Sequence, residues 1–551
     1  MFVGEDVRAD RVCQILRGRG CWIAGAAALL IGGAAGAADF KWRGNGGIEA
    51  NPLSGMWNTA GDWVDGNVPA NNAATRLLFQ SGTNNYTAAN NIPGGPLTLN
   101  TLKFSKGNSE TGDITLNGNS IRMFANGATK PTIESSTGAF VYIDLSIAVQ
   151  DGRELNVGGT SDGFISIGTD SSDGVISGTG ASVKLNGGGY YRLRGKESNT
   201  YTGTTHIEFG TLEPGKVAGK NAIPGNLIVG QDMGTNAGLA IWGRSNQMPD
   251  NAKITILKTG RVNIFGESET IGTLTGLNPA TSLQVSAIGK GDLTLAGTGA
   301  MNEQSAFGGK LQASSTDLDN DNKALLTVKG ANHTFVYTGD GSEYKGTVVA
   351  DGGHFNITGW IGRNPNMPDD GTACKQAVAK NGGTISGSGW LLCKKTDGKG
   401  VLIENNGKLK PKKNSPGVMY MDEVFFDPGG ILDIEMDPVG LDTSWIDVQG
   451  GGVVLSGAML TLTLDSPPPT WGATYPIVMN RGVMSVVGQF DGLPEGAPVT
   501  AYYGGTPYDF YISYMGGDGN DVVLYHPPVP EPGTLLLGAL AAGWFTRRRR
   551  G

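Results

Sequence analysis

The sequence predicts an all-β protein made of short strands stacked as a repeating array, and three observations lead there. Glycine supplies 90 of 551 residues, over twice its usual share of about 7%. Charged residues make up only 17%, against about 25% in ordinary globular chains. Gly, Asn, Ser and Thr therefore stand where helix formers would, which favours short strands and tight turns. Apolar and polar residues alternate in short runs closed by Gly or Asn, the period of two that buries one face of a pleated strand.

The pattern is clearest over residues 198–215 (SNTYTGTTHIEFGTLEPG) and 181–189 (ASVKLNGGG). Val183, Leu185, Ile207, Phe209 and Leu212 mark the apolar face. Tyr201-x-Gly203-Thr204 with Gly210 returns as Tyr344-x-Gly346-Thr347 with Gly353. An apolar-x-apolar-x-Gly unit appears at Ile114/Leu116/Gly118, Leu155/Val157/Gly159 and Val183/Leu185/Gly187. It recurs at Leu293/Leu295/Gly297, Leu326/Val328/Gly330, Phe355/Ile357/Gly359 and Val453/Leu455/Gly457. Several copies lie roughly 30–40 residues apart, a spacing that means stacked units, each covering its neighbour's apolar side. These residues resemble the autotransporter-associated β-strand repeat of secreted bacterial surface proteins. The resemblance implies a right-handed parallel β-helix, strongest over 178–215 and weaker over about 100–410. Repeats of this kind can form a rod and nothing more.

Taken in order, residues 1–38 read as a signal peptide. Arg8, Arg11, Arg17 and Arg19 form a basic region, and residues 22–35 form an apolar core. Ala35-Gly36-Ala37 fits the small-residue cleavage rule, with Ala35 and Ala37 flanking the cut and Ala38 or Asp39 starting the mature chain. The apolar run is too short and too rich in Gly and Ala for a permanent span.

Residues 39–99 read as an N-terminal capping β segment. Trp57-Asn58-Thr59-Ala60-Gly61-Asp62-Trp63 resembles the opening stretch that precedes such repeats. Its tryptophans could offer a sugar platform, but plugging the open end of a solenoid is the simpler use. Residues 100–410 then hold the repeats. Asp317, Asp319 and Asp321 alternate like the start of a calcium loop, yet the sixth-position glycine is missing and Val328 stands where the glutamate belongs. A solvated acidic turn fits better.

From residue 411 to 526 the texture changes to a C-terminal module of longer strands, resembling the C-terminal portion of the same surface proteins. Gly516-Gly517-Asp518-Gly519-Asn520-Asp521 matches one copy of a calcium β-roll repeat. One copy cannot build that roll, so it reads as a tight turn. Residues 527–551 form the tail: Val529-Pro530-Glu531-Pro532, a short apolar stretch, then Arg547, Arg548, Arg549 and Arg550. A proline break, a short apolar span and a basic stop suit a transient inner-membrane anchor whose arginines stay on the cytoplasmic side. The order closely resembles the PEP-CTERM sorting signal. That resemblance implies an exosortase-like membrane protease as partner, with Pro530, Glu531 and Pro532 recognised and the four arginines as the stop.

Two of four cysteines fall in the leader, leaving Cys374 and Cys393 in the mature chain. In an exported protein this even count favours a disulfide, worth roughly 3 kcal/mol in the chain-entropy model; a reduced pair is the alternative. A net charge of −8 without a basic patch gives no footprint for nucleic acid. The four histidines, His206, His333, His354 and His526, form no metal-binding pair. Gly159-Thr160-Ser161-Asp162-Gly163 matches G-x-S-x-G, but Phe164-Ile165-Ser166-Ile167 continues as strand where the nucleophile elbow needs a helix. No catalytic, cofactor or metal residue is assigned. The reading is an exported cell-surface or extracellular-matrix protein, structural or adhesive, sorted by its tail and associated with extracellular polysaccharide. The alternative is a β-helix protein that binds or degrades polysaccharide as a lyase or hydrolase, for which Asp317, Asp319, Asp321 and Asp351 are the candidate acids.

Overall fold

A computed structural model describes residues 37–160, 163–286, 291–313, 324–362, 374–394, 399–412, 417–469 and 472–527. Among them, strands dominate, and the one helical element is a single 3-10 turn at Ala60–Asp62. The strands stack coil upon coil into parallel ladders, as a β-helix requires.

The longest ladder starts at Ala38–Lys41, passes through Thr75–Gln80, Thr101–Ser105 and Thr132–Ser136, and ends at Met459–Leu464. Every pairing along it is parallel. A second ladder runs from Gly55–Met56 through Ile114–Gly118 and Phe164–Ile167 to Glu343–Tyr344. Beside its end, Asp340–Gly341 opens a sheet that continues through Trp360–Gly362, Trp390–Leu392 and Val418–Met421 to Trp445–Val448. A third face carries Leu97–Leu99 to Ile176–Ser177, and later Ser268–Ile271 to Val453–Val454.

The alternation in the sequence becomes a column in space. Leu77, Leu102, Ile133, Val157, Leu185, Ile207, Val229 and Ile256 lie in register on eight successive coils. All are buried, each resting on the residue one coil away. Burying such a side chain contributes about 1.5–3 kcal/mol, and neither coil achieves it alone. Coil length varies: Val183 pairs with Thr205 and Thr205 with Leu227, 22 residues apart each time, whereas Leu102 pairs with Ile133, 31 apart, and Leu295 with Val328, 33 apart. The Gly-closed unit marks any strand that meets a corner, so its copies fall on three faces. Leu155 and Val183 lie on the first ladder, Ile114 on the second, and Leu293 and Leu326 on the third.

The ladders cross the expected boundaries without a break. Thr75–Gln80 pairs with Thr101–Ser105, so residues 39–99 already belong to the coils. Lys408–Pro411 pairs with Ile431–Asp437, which pairs with Met459–Leu464, so the start of the C-terminal module is stacked on the solenoid. The change of texture comes later, where Ala473–Asn480, Asp521–His526, Thr506–Gly516 and Pro498–Tyr503 pair antiparallel. Hairpins of this kind, with Tyr475, Phe510, Ile512 and Leu524 buried, cover the end of the column. At the other end Trp42, Trp57, Trp63 and Phe79 are fully buried, with Trp42 edge-on to Trp63 at 5.0 Å. Phe79 stacks 5.6 Å from Phe104 on the next coil.

Phe79 touches three of the plug's rings and the coil beneath. Phe79→Ala is expected to cost about 3–5 kcal/mol, read as faster hydrogen exchange in the strands over 38–105. Arg76→Ala, on the outer side of the same strand, is expected to leave that exchange within about 0.5 kcal/mol of wild type.

Candidate functional site

The outward residues of these strands form long faces along the coils, and many of them are satisfied by neighbours on adjacent coils. Lys103 pairs with Glu134 at 2.8 Å, Lys184 with Glu208 at 2.8 Å and Lys130 with Glu154 at 2.8 Å, each across adjacent coils. On the second ladder Glu213 accepts from the Tyr190 hydroxyl at 2.5 Å, from Arg192 Nε at 2.9 Å and from Arg194 Nη2. Burial pushes this carboxyl up, but the tyrosine and both guanidinium groups outweigh it and hold it below its usual range. Burial and the adjacent carboxylate push the Tyr190 hydroxyl to about 12.

Two aromatic rows accompany these ion pairs. Phe164 and Tyr190 stack 6.0 Å apart, Phe140 meets Phe164 edge-on at 4.6 Å, and Arg192 lies 5.1 Å above the Phe164 ring. Farther along, Asp340, Trp360, Trp390, Tyr420 and Asp447 occupy one register on five successive coils. Trp390 and Tyr420 stack face to face at 3.9 Å. Trp360 Nε1 donates to Asp340 Oδ1 at 2.8 Å, and Arg481 grips Asp447 at 3.0 Å. Sugar stacking needs a free ring face, and Phe164 with Tyr190, and Trp390 with Tyr420, spend faces on each other.

Where the third face lacks strands, a buried polar seam takes over. Asn199 Oδ1 accepts from Ile176 N at 2.8 Å and its Nδ2 donates to Ala222 O at 2.7 Å. Gln247 Oε1 accepts from Lys216 N at 2.7 Å, and Gln247 N donates to Glu269 at 2.7 Å. Lys216 is fully buried. Its ammonium donates to the carbonyls of Gly174 and Arg194, both at 2.9 Å, and burial draws its pKa down to about 8. Glu269 is 2% exposed; burial pushes it up to about 7 even though Trp242 Nε1 donates to it at 2.6 Å. Shifts of this kind often mark catalytic groups. Here both groups are sealed inside the coil, so they hold backbone together and meet no substrate. Nothing in the sequence around Lys216 signals its burial.

The sequence-derived residues are scattered over the molecule. Ala35, the acids Asp317, Asp319 and Asp321, and the whole sorting set (Pro530, Glu531, Pro532, Arg547, Arg548, Arg549 and Arg550) lie outside the described residues; Ala37 opens them and is exposed. Ser161 and Asp162 also lie outside. Asp351 accepts from Asn381 Nδ2 at 2.6 Å on a turn. Cys374 and Cys393 pair on adjacent coils, Cα atoms 4.3 Å apart, with their sulfurs bonded. His206 Nε2 donates to Gly230 O at 3.0 Å, His333 bonds Ser305 Oγ at 2.8 Å and His354 bonds Ser386 Oγ at 2.5 Å. These are contacts between coils. Among the described residues no three His, Cys, Asp or Glu side chains gather as a metal site.

The comparisons bear on both ends of this picture. Residues 528–550 match the PEP-CTERM protein-sorting motif. A stretch of 327 residues is 27% identical to the adhesin BmaC autotransporter of Brucella suis biovar 1 (strain 1330), covering 57% of this chain. The chain spans 8% of the length of that curated relative. No solved structure matches it. The chain is a secreted, cell-surface protein with a C-terminal membrane-anchoring signal, and that motif implies processing by an exosortase, a membrane protein.

The Glu269 carboxyl binds its proton more tightly in the folded chain than at its unfolded pKa of about 4.3, so stability falls as pH rises from about 4.3 towards about 7. Glu269→Gln keeps an acceptor for Trp242 and removes the titration. Across that interval the wild type is expected to lose about 3 kcal/mol more stability than Glu269→Gln, measured by thermal unfolding of both at stepped pH.

Proposed function

We propose that this chain forms a rigid rod, displayed at the cell surface or in the extracellular matrix. It serves there as a structural and adhesive element associated with exopolysaccharide, without turnover. The observation that carries the reading is the coincidence of an uninterrupted parallel ladder with a sorting motif at its C-terminal end. The named function of the B. suis protein, an adhesin, supports it. So does the outer face, where Glu134, Glu208, Glu213 and Asp447 are each held by a Lys or Arg. A hydrolase needs a carboxyl pair free to give and take protons.

In this reading the leader is cut after Ala37. Exosortase recognises Pro530, Glu531 and Pro532, while Arg547, Arg548, Arg549 and Arg550 hold the tail's end on the cytoplasmic side. Cys374 and Cys393 remain oxidised after export. Mass spectrometry of the mature protein from its native cell tests all three at once. The expected chain begins at Ala38 or Asp39, ends near the Pro-Glu-Pro stretch, and is lighter by two hydrogens than the reduced form. A cytosolic protein that keeps its arginine tail would sink the routing. Incubation with polysaccharides separates the modes of action: retention without products is expected, and unsaturated or new reducing ends would make the protein an enzyme.

A further inference from the structure

We propose that the hairpin tip at Tyr502, Tyr503 and Thr506 seats in the headgroup layer of the membrane while the chain is tethered by its tail. The contact depends on the C-terminal membrane-anchoring signal, not on any association with polysaccharide. Pro498–Tyr503 and Thr506–Gly516 pair antiparallel, joined by Gly504 and Gly505 with φ of 55° and 82°. Positive φ at both turn residues is the tight two-residue hairpin that glycine favours. Nothing lies within 4 Å of where a Cβ would stand on either glycine. The turn points into open space.

The projection can be followed along the hairpin's inward face. Val499 lies opposite Phe510 and Ala501 opposite Tyr508; Val499, Ala501 and Phe510 are buried. The next pair on that face is Tyr503 with Thr506, and Tyr503 is 40% exposed. The hairpin therefore clears the edge of the body between residues 501 and 503. On the other face Tyr502, opposite Pro507, is 64% exposed. Successive residues of a strand point to opposite faces, so the two tyrosines flank the tip. A flat ligand stacked on one face would meet one of them; a layer entered end-on meets both.

Direction, reach and polarity select the membrane as that layer. Asp521–His526 runs antiparallel to Thr506–Gly516, with Tyr525 opposite Tyr511. His526 thus comes level with Phe510, and the chain leaves towards the tip, which lies five residues or roughly 17 Å farther on. From His526 to Thr534, where the apolar stretch opens, the chain spans at most about 29 Å. With that stretch in the bilayer, the tip of an upright hairpin stands within roughly 12 Å of it, a gap the headgroup layer itself half fills. Polarity agrees. No charged residue occurs from Gly496 to Tyr508, whereas the turn at the far end of the same strands carries Asp518 and Asp521, which anionic lipid would repel. Tyrosine suits the boundary, because its ring is apolar and its hydroxyl stays wet.

The test attaches a polarity-sensitive fluorophore at Thr506→Cys and, in a second chain, at Met515→Cys, a 72% exposed site towards the far end of the same strand. Both chains run from Ala38 to Gly551 with Cys374 and Cys393 oxidised. They are inserted into vesicles of phosphatidylethanolamine and phosphatidylglycerol, and flotation reports attachment. Quenching by spin-labelled lipid at 506 and none at 515 is the expected result. Tyr502→Ser combined with Tyr503→Ser, which alters exposed side chains only, is expected to abolish that quenching while the chain still floats. Quenching that survives in this variant overturns the role of the tyrosines. A floating wild-type body with an unquenched label at 506 overturns the contact and leaves the anchor standing. Quenching at both positions overturns the orientation. A label at 506 that responds to exopolysaccharide and not to vesicles gives the tip to sugar and overturns the membrane assignment. A chain that does not float overturns both the contact and the anchoring beneath it.

Discussion

A coil of β-strand has three short segments, one apolar side and two open edges, and none of these is tolerable in isolation. The backbone donors and acceptors along each edge find partners only on the coil before and the coil after. The apolar column from Leu77 to Ile256 is dry only because each member lies on the next. Everything else in the molecule follows from that mutual dependence. It fixes the register, since a slip of one residue would turn Leu185 outward and Lys184 inward. It also creates two exceptional places, the first coil and the last, where one side of the column has no neighbour. The tryptophan cluster around Phe79 closes one, and the antiparallel hairpins that bury Phe510 and Leu524 close the other. An uncovered edge at either end would invite pairing with another chain.

The third face shows how far the rule can be relaxed. Between Ile176–Ser177 and Ser268–Ile271 that face carries no strand, yet the stack holds. Side-chain amides from Asn199 and Gln247 and the Glu269 carboxyl reach the backbone groups that a strand would have reached. Lys216 threads its ammonium among three carbonyls, that of Arg194 one coil away in sequence and those of Asp173 and Gly174 about two. Such a seam stabilises less per residue than an apolar rung, because each polar group must be desolvated before it is bonded. Its merit is geometric: corners of differing length can follow one another without breaking the two remaining ladders.

How much of this was legible in the sequence depended on whether the signal was local. Alternation is local, so Val183, Leu185, Ile207 and Leu212 announced an inward side, and all four are buried; Phe209, read with them, lies at a register shift opposite Asn186 and is only half-buried. The tail was legible for the same reason, since a sorting signal is read as a linear string. Face assignment was not local. Leu155-x-Val157-x-Gly159 and Leu326-x-Val328-x-Gly330 look alike and lie on different faces, so the spacing between two copies is a coil length only where both stand on one face, as Leu293 and Leu326 do. The onset of a longer-stranded module at 411 was read from a change in composition, but Ile431–Asp437 still stacks parallel on Lys408–Pro411. Apart from the short antiparallel pairing of Ile431–Asp437 with Asp442–Thr443, the named strands reverse direction only from Ala473 on. Lys216 and Glu269 were invisible because their partners stand on neighbouring coils, far apart in sequence, and neither carries a motif.

The order of the ends matters to how such a rod reaches the surface. By His526 the final strand is paired on both sides, with Ala473–Asn480 and with Thr506–Gly516. Every rung described is therefore complete before the sorting motif begins at residue 528. The motif therefore follows the last described strand of the hairpin cap, Asp521–His526. Had the last strand of the cap lain beyond the Pro-Glu-Pro stretch, release would expose Phe510 and Ile512 to water and reopen an edge.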